Sequence, residues 1–380
     1  MNTHIVVDVY IYHKEALRQI KFCEFPPFSK TKIPFVLEKI PTQRSAGGTS
    51  ATYALTQTAS IPVEHKHRPS RPGVASCTTC TDTLAADLSS LCENIPTMDM
   101  DFATIRRTTI IALFSDDELA GIMALKGGNA LSLVHGITSR TSVDLDFSIA
   151  QDFPDFPSAK ERIFRVLKDR FDSAGYAVFD EKLTPKPRIV GEDLKPWWGG
   201  YELLFKLIRK DRYEELLRSK PEKLRIEAME TGPGRKRVFK VDLSKYEYTA
   251  GKEEHELDHY SIYVYTPEMI VIEKLRAICQ QMAEYTEPRL ASARARDFFD
   301  IHEAITKRAI DLTAPANLGL LHLIFEIKQV PLSLLSLICN TREFHRPDWY
   351  SVDAGQIESF DYYFDFVLTQ VRRLEALGVA

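Results

Sequence analysis

Lys126-Gly127-Gly128-Asn129-Ala130-Leu131-Ser132-Leu133-Val134-His135-Gly136-Ile137-Thr138-Ser139-Arg140-Thr141-Ser142-Val143-Asp144-Leu145-Asp146-Phe147-Ser148-Ile149 is the stretch on which the fold turns. Its last seven residues alternate strictly between apolar and polar, the period of a half-buried strand. Val143, Leu145, Phe147 and Ile149 then face the core, and Asp144 and Asp146 share the opposite face. Two carboxylates held that close repel each other unless a cation sits between them. Mg²⁺ is the usual one, because it takes hard oxygen ligands from one or two carboxylates and from substrate phosphates. Taken alone, the same alternation also describes a strand with a solvated, charged face.

Immediately upstream, Lys126-Gly127-Gly128-Asn129 leads into a short helix-like run from Ala130 to His135 that ends at Gly136. Paired glycines let backbone amides approach a phosphate closely. The helix N-terminus behind them adds free N–H groups and a positive dipole end. Asn129 is a good N-cap type. A glycine turn feeding a helix, followed by a strand with two acids, suits a nucleoside triphosphate and its metals. The glycines by themselves would be an ordinary turn.

The run K-G-G-x-x-L…R-x-S-x-D-L-D-F resembles the first motif of the AbiEii/AbiGii nucleotidyltransferases, toxin halves of bacterial toxin–antitoxin pairs within the polymerase-β-like superfamily. Arg140 and Ser142 match the family's Arg and Ser ahead of the acids. Asn129 stands where family members usually carry Ser or Thr. Two later segments agree in type and order: Glu273-Lys274-Leu275-Arg276-Ala277 matches E-K-L-x-A, and Arg296-Asp297 with Asp300 matches R-D-x-x-D. The resemblance implies that Lys274, Arg296 and Asp297 line the active site. Lys274 and Arg296 would neutralise triphosphate oxygens, and Asp297 would orient a cation or the attacking group. An ion-pair network inside the helices, with Asp300 tying one helix to another, is the alternative reading of the same residues.

The helix carrying Lys274 announces itself. Thr266-Pro267-Glu268 is a cap, a first-turn proline and an acid at the positive end. Met269, Ile272, Leu275 and Ile278 then recur at helical spacing, with Lys274 off that stripe. Polymerase-β-like enzymes generally use a third carboxylate from a neighbouring strand. Asp242 is the candidate, between Val241 and Leu243 on a strand expected to pair with 201–208. Glu202 is the runner-up.

The chain has 380 residues, 44% of them hydrophobic, enough for two or three domains with real cores. Its formal charge of −4 gives no overall attraction for nucleic acid, so any such contact needs a local patch. Lys195 to Lys240 holds 13 Lys/Arg against 7 Asp/Glu, including Gly234-Arg235-Lys236-Arg237 just before the Asp242 strand. A solvated charged hairpin and helix explains that run equally well. Trp197-Trp198 would stack on a base or plug the sheet edge, and the plug is preferred. No run of 18 apolar residues, no signal-peptide layout and no dense cysteine pattern is present, which points to the cytoplasm and away from a membrane.

Residues 1–97 are rich in Thr, Ser and Pro and read as a flexible extension, with the functional chain beginning near Met98. His65-x-His67 and Cys77-x-x-Cys80 are zinc-compatible types without a framework to hold them. A nucleotidyltransferase core is expected over 98–265 and a helical domain over 266–380. The core should contain a helix over about 101–124 broken near Ser115, a helix over about 157–174, a basic helix near 210–219, and strands near 200–208, 236–244 and 260–265. His135 and His322 sit among apolar residues and read as core histidines.

The expected fold is therefore α+β, a polymerase-β-like core of mixed sheet and flanking helices followed by helices. The expected reaction is transfer of a nucleotidyl group from an NTP. Two Mg²⁺ ions would be held by Asp144, Asp146 and Asp242. Lys126, Gly127, Gly128, Asn129, Arg140 and Ser142 would cradle the triphosphate. By resemblance the acceptor is RNA or tRNA, and a cognate antitoxin is the protein partner. Transfer to a protein side chain, or a nucleotide-binding regulator without turnover, are the other classes.

Overall fold

The computed structural model describes residues 100–379 apart from 139–141, 143, 190, 193, 195, 232, 286–290, 353, 354 and 356, together with the backbone of two short strands. Those strands, β1 (Phe35–Lys39) and β2 (Tyr53–Gln57), pair antiparallel with Phe35 opposite Gln57 and belong to a compact unit of residues 1–95. The expected start near Met98 and the His65, His67, Cys77 and Cys80 ligand types lie outside the described residues.

Residues 96–380 form the second unit. Asp101 caps helix α1 (Phe102–Phe114), its carboxylate accepting from the Thr104 N–H at 2.7 Å. Asp116 caps α2 (Asp117–Ile122) in the same way. The expected helix to residue 124 stops early: Met123 opens strand β3 (Met123–Lys126), whose residues are all buried. A four-residue apolar run covered on both faces carries no period, so a helix and a central strand look alike there. Next come α3 (Gly127–Asn129), which widens into a π-helical turn over Ala130–Val134, and β4 (Leu145–Ile149). Helix α4 (Phe156–Ser173) buries Ile163, Val166, Leu167 and Phe171.

Strands β5 (Tyr176–Lys186) and β6 (Gly200–Arg209), helices α5 (Lys210–Ser219) and α6 (Leu224–Glu227), and strands β7 (Phe239–Ser244), β8 (Glu253–Leu257) and β9 (Tyr260–Val264) follow. Among the described residues they build a seven-stranded sheet in the order β5-β6-β7-β4-β3-β9-β8. The β7–β4 and β3–β9 pairs are parallel, and the others antiparallel. One face packs on α1 and α4. Phe147 meets Phe114 at 6.0 Å between centroids, and Phe205 meets Phe171 at 5.8 Å and Phe239 at 5.3 Å. Side chains alternate along each strand, so the neighbours of these phenylalanines point to the other face.

The C-terminal part is helical: α7 (Pro267–Cys279), α8 (Ala295–Arg308), α9 (Pro315–Glu326), α10 (Arg342–His345) and α11 (Phe360–Glu375). Thr266 caps α7, with its hydroxyl accepting from the Met269 N–H at 3.2 Å. This helix is buried nearly all round, Lys274 and Arg276 included, so its interior side is wider than the expected stripe. His135 is a buried histidine whose Nε2 lies 2.8 Å from the Tyr265 carbonyl. His322 is exposed on α9, against expectation, because its apolar neighbour Leu323 also faces outward at 47% exposure.

Candidate active site

Strand register sets one row of side chains on the sheet face away from α1 and α4. Lys126 on β3 stands opposite Asp146 on β4, Asp146 opposite Asp242 on β7, and Asp242 opposite Glu202 on β6. Directly opposed residues share a face, with Cβ atoms about 5 Å apart. Asp144, one residue ahead of β4, joins the row with its side chain 49% exposed. Two lysines reach in from positions two residues along their strands. Lys240 Nζ lies 2.6 Å from Asp242 and 3.7 Å from Asp144, and Lys186 Nζ lies 2.8 Å from Asp242 and 3.7 Å from Glu202. Among the described residues no three His, Cys, Asp or Glu side chains are drawn together as a finished metal site.

The glycine turn presses directly on this row. Gly127 has φ +69°, and a Cβ there would come within 2.9 Å of Asp146 Oδ2. Both the left-handed backbone and the close approach require glycine. Burial pushes the Asp146 carboxyl up to about 6. Lys126 draws it down, while Asp242, Glu273 and Asp144 push it further up.

Asn129 is fully buried below the turn; it stands at the N-cap position of the turn over Ala130–Val134, but its side chain makes no capping bond there. Its Nδ2 donates to the Asp144 carbonyl at 2.6 Å, and its Oδ1 accepts from Arg106 Nη1 at 2.8 Å. Arg106 also donates to the Ser142 carbonyl at 2.8 Å. The two-ended amide thus links a buried arginine to the backbone that carries Asp144. Arg140 lies outside the described residues.

The row opens on a cleft of about 870 Å³, walled on one side by the sheet and on the other by α7 and the start of α8. Lys126, Gly127, Gly128, Ser142, Asp144, Asp146, Asp242, Lys274, Arg296 and Asp297 all border it. The structure therefore brings to this cleft every described residue that the sequence singled out for the site except Asn129 and the runner-up Glu202. Lys274 is buried between Asp297, at 2.7 Å, and Asp300, at 2.8 Å. Arg294 grips the second oxygen of Asp297. Burial alone would raise the Asp297 carboxyl, but Arg294 and Lys274 hold it well below the usual carboxylate range. Arg296 is exposed at the cleft rim.

Several lining residues carried little or no signal in the sequence. Lys126 Nζ lies 2.5 Å from Glu273 and 3.7 Å from Glu247, and Arg276 lies 2.9 Å from Glu247. Lys328 completes this buried cluster 3.7 Å from Glu247. Burial lowers the Lys328 ammonium to about 8, against the pull of Glu247. Glu273 and Arg276 lie within the E-K-L-x-A match and were findable there. Glu247 and Lys328 stand in unpatterned text. Trp198 lines the cleft beneath Lys328, 5.6 Å from ring to ammonium, and does not plug a sheet edge, because β6 is an interior strand. In the basic stretch, Lys210, Arg212, Arg225 and Arg237 are paired to carboxylates, as a solvated charged surface would be.

Among solved structures, a candidate nucleotidyltransferase from H. pylori matches with a TM-score of 0.38 and 18% identity over 74% of this chain and 99% of that one. JHP933 from Helicobacter pylori matches at 0.37 and 19%, over 73% and 93%. An antigenic nucleotidyltransferase-like protein from Paracoccidioides brasiliensis matches at 0.28 and 18%, over 64% and 90%. No curated protein matches. The family model described as "Nucleotidyl transferase AbiEii toxin, Type IV TA system" matches residues 110–363, well over half of the chain. That span takes in the acid row, the glycine turn and both cleft-facing helices, and the chain belongs to the AbiEii family of nucleotidyltransferase toxins.

Proposed function

We propose that this nucleotidyltransferase moves a nucleoside monophosphate from an NTP to an RNA acceptor, tRNA being the first candidate, in a Mg²⁺-dependent reaction. The observation that carries the reading is the close approach of Gly127 to Asp146, where a Cβ would not fit; it supports taking the phosphate-type turn and the acid row as one site. Asp144, Asp146 and Asp242 offer only carboxylate oxygens, the donor set that suits Mg²⁺. Burial, and then the charges of Asp242, Glu273 and Asp144, disfavour the Asp146 carboxylate, a cost that a bound cation would offset. When bound there, two such ions would lower the pKa of the acceptor hydroxyl and offset charge on the departing pyrophosphate.

The chain's own residues do the rest. The amides of Gly127 and Gly128 point positive backbone dipoles at the phosphates. Ser142 borders the same end of the cleft. Arg296, exposed at the rim, meets phosphate charge as it builds. Lys274 is held by Asp297 and Asp300, so it contributes as a fixed positive charge in the cleft wall and not as a mobile arm. Asp297 positions Lys274 and Arg294. An antitoxin and an NTP follow from the family.

The test is incubation with each α-³²P- and γ-³²P-labelled NTP, total tRNA and cell extract in Mg²⁺. α-Label in RNA is expected, and none with the Asp144→Ala, Asp146→Ala protein. Label in protein, or nucleotide binding without transfer, would overturn the RNA reading.

A further inference from the structure

Four carboxylates, Asp144, Asp146, Asp242 and Glu202, crowd one end of the sheet face. Like charges at such spacing destabilise each other. Lys126 is already committed to Glu273 at 2.5 Å. Two lysines thread the row. Lys240 bridges Asp242 and Asp144, and Lys186 bridges Asp242 and Glu202. Their side chains are 29% and 51% exposed, so each can leave without opening the core. Exposed ion pairs are individually weak, roughly 0–1 kcal/mol. A pair that sits where a divalent ion must bind has a consequence beyond stability: the ion has to displace it.

We propose that Lys240, assisted by Lys186, is the resident counter-cation of the acid row and competes with the divalent ion for Asp144 and Asp242. The inference rests on the metal reading of these acids. An ion entering alone displaces the ammoniums from Asp144 and Asp242 and leaves them beside a doubly charged centre. An ion entering with a triphosphate brings phosphate oxygens to which the freed ammoniums turn. Metal and nucleotide therefore load together, and neither occupies the site well without the other. Lys240 thus acts through the acids with which it pairs, as a positioning residue.

The test is Mn²⁺ binding to the full chain without nucleotide, followed by loss of the free-ion electron paramagnetic resonance signal. Asp146→Asn, Lys186→Met and Lys240→Met are compared with wild type. Lys240→Met should bind Mn²⁺ on the order of tenfold tighter than wild type, with a smaller gain for Lys186→Met, because a competing state has been removed. Adding a non-hydrolysable NTP should narrow the gap. Circular dichroism reports folding, and Lys240→Gln replaces Lys240→Met if the methionine protein does not fold. Equal or weaker Mn²⁺ binding in the Lys240 variant, with Asp146→Asn abolishing binding, overturns this inference alone. Binding that is absent in all proteins, or indifferent to Asp146→Asn, overturns it together with the metal reading.

Discussion

Asp146 and Asp242 stand directly opposite each other on adjacent parallel strands, with Lys126 and Glu202 continuing the row on either side. A register of this kind is fixed by the core on the other face: slipping one strand by one residue would turn Phe147 or Val241 outward. The spacing of the acids is thus enforced by packing with which they have no direct contact.

Holding Asp146 there costs stability. Its folded carboxyl titrates at about 6, above the ordinary 3.8. A group with a raised folded pKa holds its proton longer in the folded state, so its contribution falls as pH rises from about 3.8 to 6 and stays low above. Two pKa units correspond to about 3 kcal/mol, and partial exposure reduces that. Asp146→Asn should therefore abolish nucleotidyl transfer while raising stability by about 2 kcal/mol at pH 7 in EDTA. Thermal melts at pH 5 and pH 7 check this: the variant's advantage should grow with pH. A variant less stable than wild type at pH 7 would count against the site as described.

Gly127 and Gly136 separate two effects of a side chain. Both have positive φ, +69° and +61°, but among the described residues only Gly127 faces an obstacle, the Asp146 carboxylate. Gly136→Ala should cost roughly 1 kcal/mol for its left-handed backbone alone. Gly127→Ala carries that cost and must also push Asp146 aside, so it should be destabilised by roughly a further 1–2 kcal/mol. It should also lose transfer activity, which Gly136→Ala largely keeps. Urea unfolding with the transfer assay distinguishes them. Equal losses in both proteins would show that the turn does not press on the acid.

How much of this was legible depended on whether a residue's neighbours were local. Asp144 and Asp146 could be read because a strand's period is short, and one buried face made the alternation clear. Asp242 followed from the Val241 and Leu243 that flank it. Strand β5 was missed because its middle, Asp180-Glu181-Lys182, is polar where the register shifts past Phe179. Strand β8 was missed because it is a charged edge, Glu253-Glu254-His255-Glu256-Leu257. Glu247 and Lys328 are 81 residues apart and meet only through the tertiary fold. Asn129 was expected to cap a helix and touch phosphate. Its amide instead spans Arg106 and Asp144, a link that no local spacing encodes.

Lys274 sits between Asp297 and Asp300, all three buried. Removing one partner of such a group leaves an uncompensated buried charge, at about 3–5 kcal/mol. Lys274→Met should therefore unfold far more easily than wild type, and most of its loss of activity should follow its loss of folded protein, the rest following the loss of the fixed charge in the cleft wall. Adding Asp300→Leu should recover part of that stability, because it removes one of the two buried carboxylates that had lost Lys274 while Arg294 still serves Asp297. Differential scanning calorimetry of the single and double variants measures the coupling. If the single variant is fully stable yet inactive, Lys274 acts on the nucleotide and not through the network.

His345 gives the acid limit of the helical part a specific origin. It is fully buried, its Nδ1 accepts from the Arg294 N–H at 3.0 Å, and its Nε2 has no partner among the described residues. Burial lowers its folded pKa to about 4, with Asp297 pulling upward and Arg294 downward. The unfolded chain, with a pKa near 6.5, takes up its proton first. The stability contributed by neutral His345 is thus complete above about pH 6.5 and is lost as pH falls toward 4. By pH 5 the loss should reach about 2 kcal/mol. His345→Gln can still accept from the Arg294 amide and cannot titrate. In urea unfolding, wild type should lose about 2 kcal/mol more than the variant between pH 7 and pH 5. Parallel losses in the two proteins would place the acid sensitivity elsewhere.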